Sequence, residues 1–186
     1  MKGITLEKLC LGSYCHHETM VHVIWGVQKD YIPAAILSLI DEAVRRISIS
    51  SYIMTISKSS YSAKIRESLR RAYAKGVDIA IILDAYSNHV KDHNCRTASI
   101  LSKDGIDVWL TSKKRNHMKI YTADDKAFIG SANLTSHENS LELGLLVIDN
   151  TVAETLHTII MNTIERYGVL WKQICITPPQ HKEFGS

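Results

Sequence analysis

Signals for strands and helices alternate along most of this chain of 186 residues, and this alternation constrains the fold more than any other feature. Short apolar or β-branched runs, which predict strands, are separated by stretches in which apolar residues recur every three or four positions, which predict helices. An order of strand, helix, strand is typical of βαβ units built around a parallel sheet. We therefore predict an α/β fold in which helices flank both faces of a mixed, mainly parallel β-sheet.

The predicted elements are spread over most of the chain. Strands are predicted over residues 21–27, 47–56, 77–83, 106–110, 117–122, 126–129 and 141–148. Helices are predicted over residues 33–46, from the serines at 57–60 to Gly76, over 96–102, from 131–135 onward and over 151–167. The strand at 77–83 is almost continuously apolar, as a parallel strand buried on both faces should be.

The charge and the lengths of the apolar runs indicate the kind of binding partner and the location of the protein. A formal net charge of +3 and a pI near 8.6 fit an anionic partner. The longest apolar runs are far too short to span a bilayer, and the N-terminus lacks the continuous apolar stretch of a secretory signal. We therefore expect a cytoplasmic protein without stable membrane association.

The four cysteines are widely scattered. A chain of this length does not need disulfides to stabilise its fold, so we expect reduced thiols. Four side chains of types that bind zinc lie within a short span, namely Cys10, Cys15, His16 and His17. Their spacing matches no standard zinc finger, so the sequence leaves both zinc binding and unligated side chains open.

A cluster of polar side chains is predicted at the ends of two neighbouring strands. His117 and Lys119 lie two residues apart on a predicted strand, so their side chains point to the same side. Gly130 interrupts the next predicted strand just before Ser131 and Asn133, which offer a hydroxyl and an amide. An imidazole, an ammonium and two neutral donors that converge in this way predict a binding site for an anion the size of phosphate.

The residues from His117 to Asn133 fit the pattern H-x-K-x4-D-x5-G-S-x-N, with Asp124 at the D. This pattern resembles the HKD motif of the phospholipase D superfamily, including the trailing G-S-x-N. The segments before it and the Asn139-Ser-Leu-Glu142 element after it are also similar to that superfamily, so the resemblance covers residues 21–166. It implies a phospholipase D-like αβα sandwich, with a catalytic domain over residues 21–168 between an N-terminal extension (1–20) and a C-terminal tail (169–186).

The resemblance implies a role for the residues of the motif. His117 is similar to the nucleophile that attacks phosphorus and forms a phosphohistidine intermediate. Lys119, Ser131 and Asn133 resemble the groups that bind the phosphate and stabilise charge on its oxygens. Glu142 is expected to accept a hydrogen bond from the ring of His117 and so to fix its tautomer.

Asp124 fills the D of the motif and is counted with the catalytic residues, although an aspartate in a turn is also a common structural choice. The mechanism needs a second histidine, which protonates the leaving oxygen and then activates water. The chain has one copy of the motif, and small members of the superfamily pair across a two-fold axis. The resemblance therefore implies a homodimer with one shared site, and it implies neither a metal ion nor a cofactor.

The substrate class is predicted from chain size and charge. Lipid-hydrolysing members of the superfamily are mostly longer chains with two motifs, so a nuclease is favoured, with DNA favoured over RNA. The cationic run Lys113-Lys114-Arg115, just before His117, is predicted to contact the nucleic acid backbone. The alternatives are a hydrolase of cardiolipin-like lipids and a non-catalytic nucleic-acid-binding module. The chain is also compatible with the nuclease domain of a longer protein, such as a restriction enzyme.

Overall fold

A computed structural model describes residues 4–7, 19–27, 32–57, 60–135 and 140–176 of the chain. The strands in these residues are β1 (Ile4–Glu7), β2 (Met20–Val27), β3 (Arg46–Ser51), β4 (Asp78–Asp84), β5 (Val108–Thr111), β6 (Ile120–Ala123), β7 (Lys126–Gly130), β8 (Leu141–Ile148) and β9 (Gly168–Leu170). They form one nine-stranded sheet with the order β1-β2-β8-β7-β6-β3-β4-β5-β9.

The helices lie on both faces of this sheet, as predicted. They are α1 (Ile32–Asp41), α2 (Ser60–Ala74), α3 (Asn88–Ser102), α4 (Asn150–Tyr167) and α5 (Trp171–Cys175). Buried residues of α1, α2, α3 and α5 form one core with one face of the sheet. Ile160 and Ile164 of α4 form a second core with Ile82 and Ile120 on the opposite face. Within the described residues, no helix is both long enough and apolar enough to cross a membrane.

The sheet is mixed, but the prediction that it is mainly parallel is wrong. The pairs β3–β4 and β4–β5 are parallel, whereas the other six strand pairs are antiparallel. The reason is the length of the connections in the second half of the chain. Parallel neighbours need a crossover of about a dozen residues or more, whereas a turn of two residues joins β6 to β7 and allows only a hairpin.

The start of α3 and the end of β3 both differ from their predicted positions. α3 begins at Asn88 and not near Arg96, so it is eight residues longer at its N-terminus than predicted. β3 ends at Ser51 and not at residue 56. Beyond this point the backbone binds a side chain of α3, because the N–H of Met54 donates to the amide oxygen of Asn94 at 3.0 Å.

Two predictions around the motif also differ from the structure. The segment 117–119 precedes β6 and does not itself belong to a strand. Residues 131–135 do not form the predicted start of a helix. There the backbone oxygen of Leu134 accepts the N–H of Thr55 at 2.8 Å, and Leu134 pairs with Met54 in an isolated parallel bridge.

Elements near both ends of the chain complete the sheet. β1 lies in the predicted N-terminal extension and pairs with β2. β9 spans the predicted boundary between domain and C-terminal tail and pairs with β5, and α5 lies in that tail. A disulfide joins Cys95 of α3 to Cys175 of α5. The prediction of reduced thiols is therefore wrong for this pair. The two residues are 80 positions apart, and the pairing is set by the packing of α5 on α3.

Candidate active site

The segment that carries His117 is fixed by its buried neighbour Asn116. The side-chain amide of Asn116 donates to the hydroxyl of Ser50 at 3.0 Å and to the backbone oxygen of Ile82 at 3.3 Å. Its backbone N–H donates to the carboxylate of Asp84 at 2.8 Å. These bonds tie the segment to β3 and β4, near the carboxyl ends of both strands, and leave His117 exposed.

His117 and Lys119 are brought together as predicted, although neither lies on a strand. The ammonium nitrogen Nζ of Lys119 lies 3.2 Å from Nδ1 and 3.4 Å from Nε2 of His117, and it donates to the backbone oxygen of His117 at 2.9 Å. Lys119 is only 7% exposed, and within the described residues it forms no ion pair with a carboxylate. Burying an ammonium without a counter-ion is costly, so the pair is suited to an anion from outside the chain.

The surroundings of the pair lower the pKa of both side chains. Burial lowers the pKa of His117, and the charges of Lys119 and Arg115 lower it further, against an opposing effect of Asp84. Burial also lowers the pKa of Lys119, and the charge of Glu142 opposes this shift. A neutral imidazole at neutral pH has a free nitrogen lone pair, which is what a nucleophile needs.

Tyr52 contacts this pair and was not among the predicted site residues. It directly follows β3, and its ring lies 4.7 Å from the ring of His117, centroid to centroid, at an interplanar angle of 55°. Nζ of Lys119 lies 5.5 Å from the centroid of the same ring. In the sequence, Tyr52 is an aromatic residue inside the predicted strand 47–56. Because that strand was predicted to be too long, the position of Tyr52 just beyond the end of β3 was missed.

Asp84 is a second residue that the sequence analysis did not assign to the site. It is fully buried at the end of β4, and its carboxylate accepts the backbone N–H groups of Ser87 at 2.9 Å and of Asn116 at 2.8 Å. It therefore organises the loop after β4 and the segment before His117. In the sequence, an acidic residue at the carboxyl end of a buried parallel strand can indicate a site residue, because ligands of α/β folds bind near these strand ends.

Ser131 and Glu142 lie beside Lys119, but their contacts differ from the prediction. The N–H of Gly130 donates to the backbone oxygen of Lys119 at 3.2 Å, which sets the position of Ser131. The hydroxyl of Ser131 donates to the carboxylate of Glu142. The predicted hydrogen bond between Glu142 and His117 is not formed among the described residues of a single chain, so Glu142 acts there on Ser131 and, through its charge, on Lys119.

Asn133 also lies at this edge of the sheet. Its side-chain oxygen accepts the backbone N–H of Ile53, the residue after Tyr52, at 3.4 Å. The trailing G-S-x-N of the motif therefore joins the end of β7 to the chain that leaves β3. Ile53 directly follows Tyr52, which contacts both His117 and Lys119, so this bond brings Asn133 close to the pair.

Asp124 lies away from the other motif residues, and its geometry indicates a structural role in place of the catalytic one predicted for it. The whole of β6, about 13 Å at 3.3 Å per residue, separates it from Lys119. Its carboxylate accepts the backbone N–H groups of Val44, Arg45 and Arg46 at 2.8, 3.0 and 3.1 Å. Burial alone would raise its pKa, but these three bonds outweigh burial and hold the pKa below the usual value.

The cationic run before His117 is exposed, as a nucleic acid contact requires. Lys113, Lys114 and Arg115 all lie in the loop between β5 and β6. Nε of Arg115 donates to the hydroxyl of Ser87 at 3.1 Å, and its Cζ lies 5.5 Å from the ring centroid of Tyr52. Arg115 therefore belongs to the edge of the site, next to the residues that hold His117.

The described residues contain no cluster of three or more histidine, cysteine, aspartate or glutamate side chains arranged to hold a metal ion. The four residues weighed as zinc ligands, which are Cys10, Cys15, His16 and His17, lie outside the described residues.

The mixed sheet, with helices on both of its faces, defines an αβα sandwich. A family model described as "Cardiolipin synthase, PLD-like domain" matches residues 36–164. The chain belongs to this phospholipase D-like family, and the resemblance predicted from the HKD pattern is confirmed. Membership places the chain among the phosphodiesterase-type enzymes of the superfamily.

Solved structures share this fold. Nuc from Salmonella typhimurium, described as a phospholipase D family member, has a TM-score of 0.69 and 22% identity, covering 82% of this chain and 98% of Nuc. NucT from Helicobacter pylori has a TM-score of 0.61 and 21% identity over 82% of this chain and 100% of its own. Phosphatidylserine synthase from Haemophilus influenzae Rd KW20 has a TM-score of 0.66 and 13% identity, covering 84% of this chain but 41% of the synthase. No curated protein matches the sequence.

Proposed function

We propose that this protein is a metal-independent phosphodiesterase that cleaves nucleic acid, with DNA favoured over RNA. The observation that carries the proposal is the ammonium of Lys119, buried to 7% exposure and without a carboxylate partner among the described residues, in contact with an exposed imidazole. A phosphodiester supplies the missing negative charge and places phosphorus within reach of His117. The same arrangement disfavours a module that only binds nucleic acid.

The chemistry assigned to one chain follows from this pair. A neutral ring nitrogen of His117 attacks phosphorus, the bond from phosphorus to the leaving oxygen breaks, and a phosphohistidine forms. Lys119, with Ser131 and Asn133 beside it, stabilises the charge on the non-bridging oxygens as the transition state forms. Water then attacks the phosphohistidine, which releases the phosphate product and regenerates the imidazole.

The leaving oxygen needs a proton, and we assign its donor to the partner's His117 in a homodimer. A two-fold axis beside the site would place the two imidazoles on opposite sides of one phosphate. Apolar surface for such a contact exists on β8, the strand that carries Glu142, where Leu141 is 78% and Leu143 is 54% exposed. Exposed large apolar side chains grouped on one strand favour a surface that is covered in the assembled protein.

The substrate assignment rests on charge. Lys113, Lys114 and Arg115 form an exposed cationic edge beside His117, which suits an extended polyanion bound through its phosphates. Hydrolysis of cardiolipin-like lipids is the second candidate. The exposed leucines of β8 favour it, because apolar surface near the site would also suit acyl chains.

The proposal is tested by offering the purified protein single-stranded DNA, duplex DNA, RNA and cardiolipin vesicles in parallel, all in excess EDTA. We expect cleavage of nucleic acid that weakens steeply with added salt. His117→Ala, prepared in the same way, should abolish turnover and so exclude a contaminating nuclease. Lys119→Ala should raise the barrier by about 3 kcal/mol, the size seen for a single donor to a developing oxyanion.

Two results would contradict the proposal. Complete loss of cleavage in EDTA, restored by Mg²⁺, would exclude a reaction carried by histidine and lysine alone. Hydrolysis of the lipid without cleavage of any nucleic acid would replace the leading function with the second candidate.

A further inference from the structure

A cluster of three side chains extends the site away from Lys119, on the side of α3. The hydroxyl of Tyr52 and Nε2 of His89 form a hydrogen bond, and the two rings lie 5.8 Å apart in an edge-to-face arrangement. Arg115 lies with Cζ 5.5 Å from the centroid of the same tyrosine ring, whereas His117 packs against that ring at 4.7 Å. Tyr52 therefore lies between the catalytic imidazole and a second, exposed imidazole.

Arg115 differs from several other arginines in its lack of a carboxylate partner. Arg66, Arg70 and Arg71 each donate to an aspartate or glutamate at 2.7–2.9 Å. Arg115 uses only Nε, which donates to the hydroxyl of Ser87 at 3.1 Å, and within the described residues it makes no ion pair. Neither of its terminal NH2 groups has an acceptor in the part of the chain that the structure describes, although the bond to Ser87 and the tyrosine ring hold the side chain in place.

The buried carboxylate that acts on His117 does not neutralise this cluster at the surface. Asp84 lies underneath, fully buried, and its carboxylate is occupied by the N–H groups of Ser87 and Asn116. The exposed groups of the cluster are a guanidinium, an imidazole and a phenol hydroxyl. A guanidinium can bind two phosphate oxygens through two parallel N–H groups, so Arg115 is suited to a phosphate of a polyanion.

We propose that Tyr52, His89 and Arg115 form a second phosphate-binding subsite, which holds the phosphate of the nucleotide next to the scissile bond. The inference rests on the proposed nuclease function and narrows its substrate: the preferred ligand has at least two phosphates in sequence along one strand. The bond from Tyr52 to His89 and the contact of Tyr52 with His117 couple the positions of the two phosphates. The subsite gives the protein a preference for an oligonucleotide over an isolated phosphodiester.

The test measures binding as well as turnover, so that it gives a result even if the wild-type protein is inactive. The variant is His89→Ala with Arg115→Ala. The matched control is His93→Ala with Arg96→Ala, which removes the same side-chain types from exposed positions of α3. His93 lies about 6 Å further along α3 than His89, at 1.5 Å per residue.

Dissociation constants are measured by calorimetry for a thymidine dinucleotide, with one phosphate, and a thymidine trinucleotide, with two. These measurements use the His117→Ala background, in which the ligands are not cleaved. We expect the trinucleotide to bind about tenfold more tightly than the dinucleotide in the control, a difference of about 1.4 kcal/mol. The test variant should lose most of this advantage. Its salt dependence for the trinucleotide should fall by about 0.7 in logarithmic slope, the value of one single-strand phosphate contact.

Turnover of bis(p-nitrophenyl) phosphate by the protein with an intact His117 distinguishes failure of the proposed phosphodiesterase function from failure of the proposed subsite. Absence of turnover there would remove the proposed phosphodiesterase chemistry, while the calorimetry still reports on the subsite. An equal advantage of the trinucleotide in the test variant and the control would overturn the subsite. Equal weakening of both oligonucleotides in the test variant would also overturn it, because the cluster would then only position the catalytic pair.

Discussion

Burial lowers the pKa of His117, and the positive charge of Lys119 lowers it further. In the proposed reaction the neutral imidazole is available for attack, while the charge of Lys119 attracts the anion to be attacked. Burial lowers the pKa of Lys119 as well, but a bound phosphodiester would restore the counter-charge that the chain does not supply. The two residues together are therefore better suited to bind and attack an anion than either residue would be alone.

Replacement of this lysine tests the coupling through pH. Lys119→Met should raise the pKa of His117, because the second-largest cause of its lowering is removed while burial of the ring remains. In the wild type the acid limb of activity, where His117 becomes protonated, should lie below about pH 6.5, the usual value for histidine. In the variant, the pH below which the residual activity falls should be higher than in the wild type.

The measurement is an NMR titration of the His117 ring, with Lys103→Met as the control because this lysine is exposed at the end of α3. The control should leave the titration of His117 unchanged. A pKa of His117 that is equal in Lys119→Met and in the wild type would show that the two side chains do not interact in solution.

At the scale of elements, the sequence predicted most strands and helices but missed features that depend on long-range contacts. β8 and α4 were predicted within one residue, because their apolar patterns are long and regular. The segment of His117 was wrongly placed on a strand, since its real constraint is the side chain of Asn116, which bonds to residues more than thirty positions away. Spacing within the motif predicted that His117 and Lys119 meet, but it wrongly grouped Asp124 with them, and no local pattern could predict Tyr52 or Asp84 beside them.

The disulfide between α3 and α5 connects two elements and should stabilise the fold. It closes a loop of 80 residues, so its removal should lower the free energy of unfolding by about 2–4 kcal/mol. The experiment is denaturation by urea with and without reductant. The variant Cys95→Ser with Cys175→Ser serves as the control, since reductant should not destabilise it further. An unfolding midpoint of the wild type that does not respond to reductant would show that the two thiols are not joined.

At the scale of the whole molecule, we propose that each chain supplies half of a reaction site near the carboxyl ends of β3 and β4. α4 covers the middle of one face, and the other helices cover the opposite face, so His117, Lys119 and the exposed leucines of β8 remain near uncovered surface. One histidine per chain supplies either the nucleophile or the acid, whereas the reaction needs both at once. The central claim is therefore that two chains share one site.

Mixing of subunits tests this claim most directly. Wild-type protein and His117→Ala protein are combined in varying proportions, exchange of subunits is verified with differently labelled chains, and turnover of bis(p-nitrophenyl) phosphate is measured. A shared site predicts activity close to the square of the wild-type fraction, so an equal mixture should keep about a quarter of the activity, because only dimers of two wild-type chains are intact. Activity that instead falls in proportion to the wild-type fraction, after verified exchange, would contradict the shared site and assign the whole reaction to a single chain.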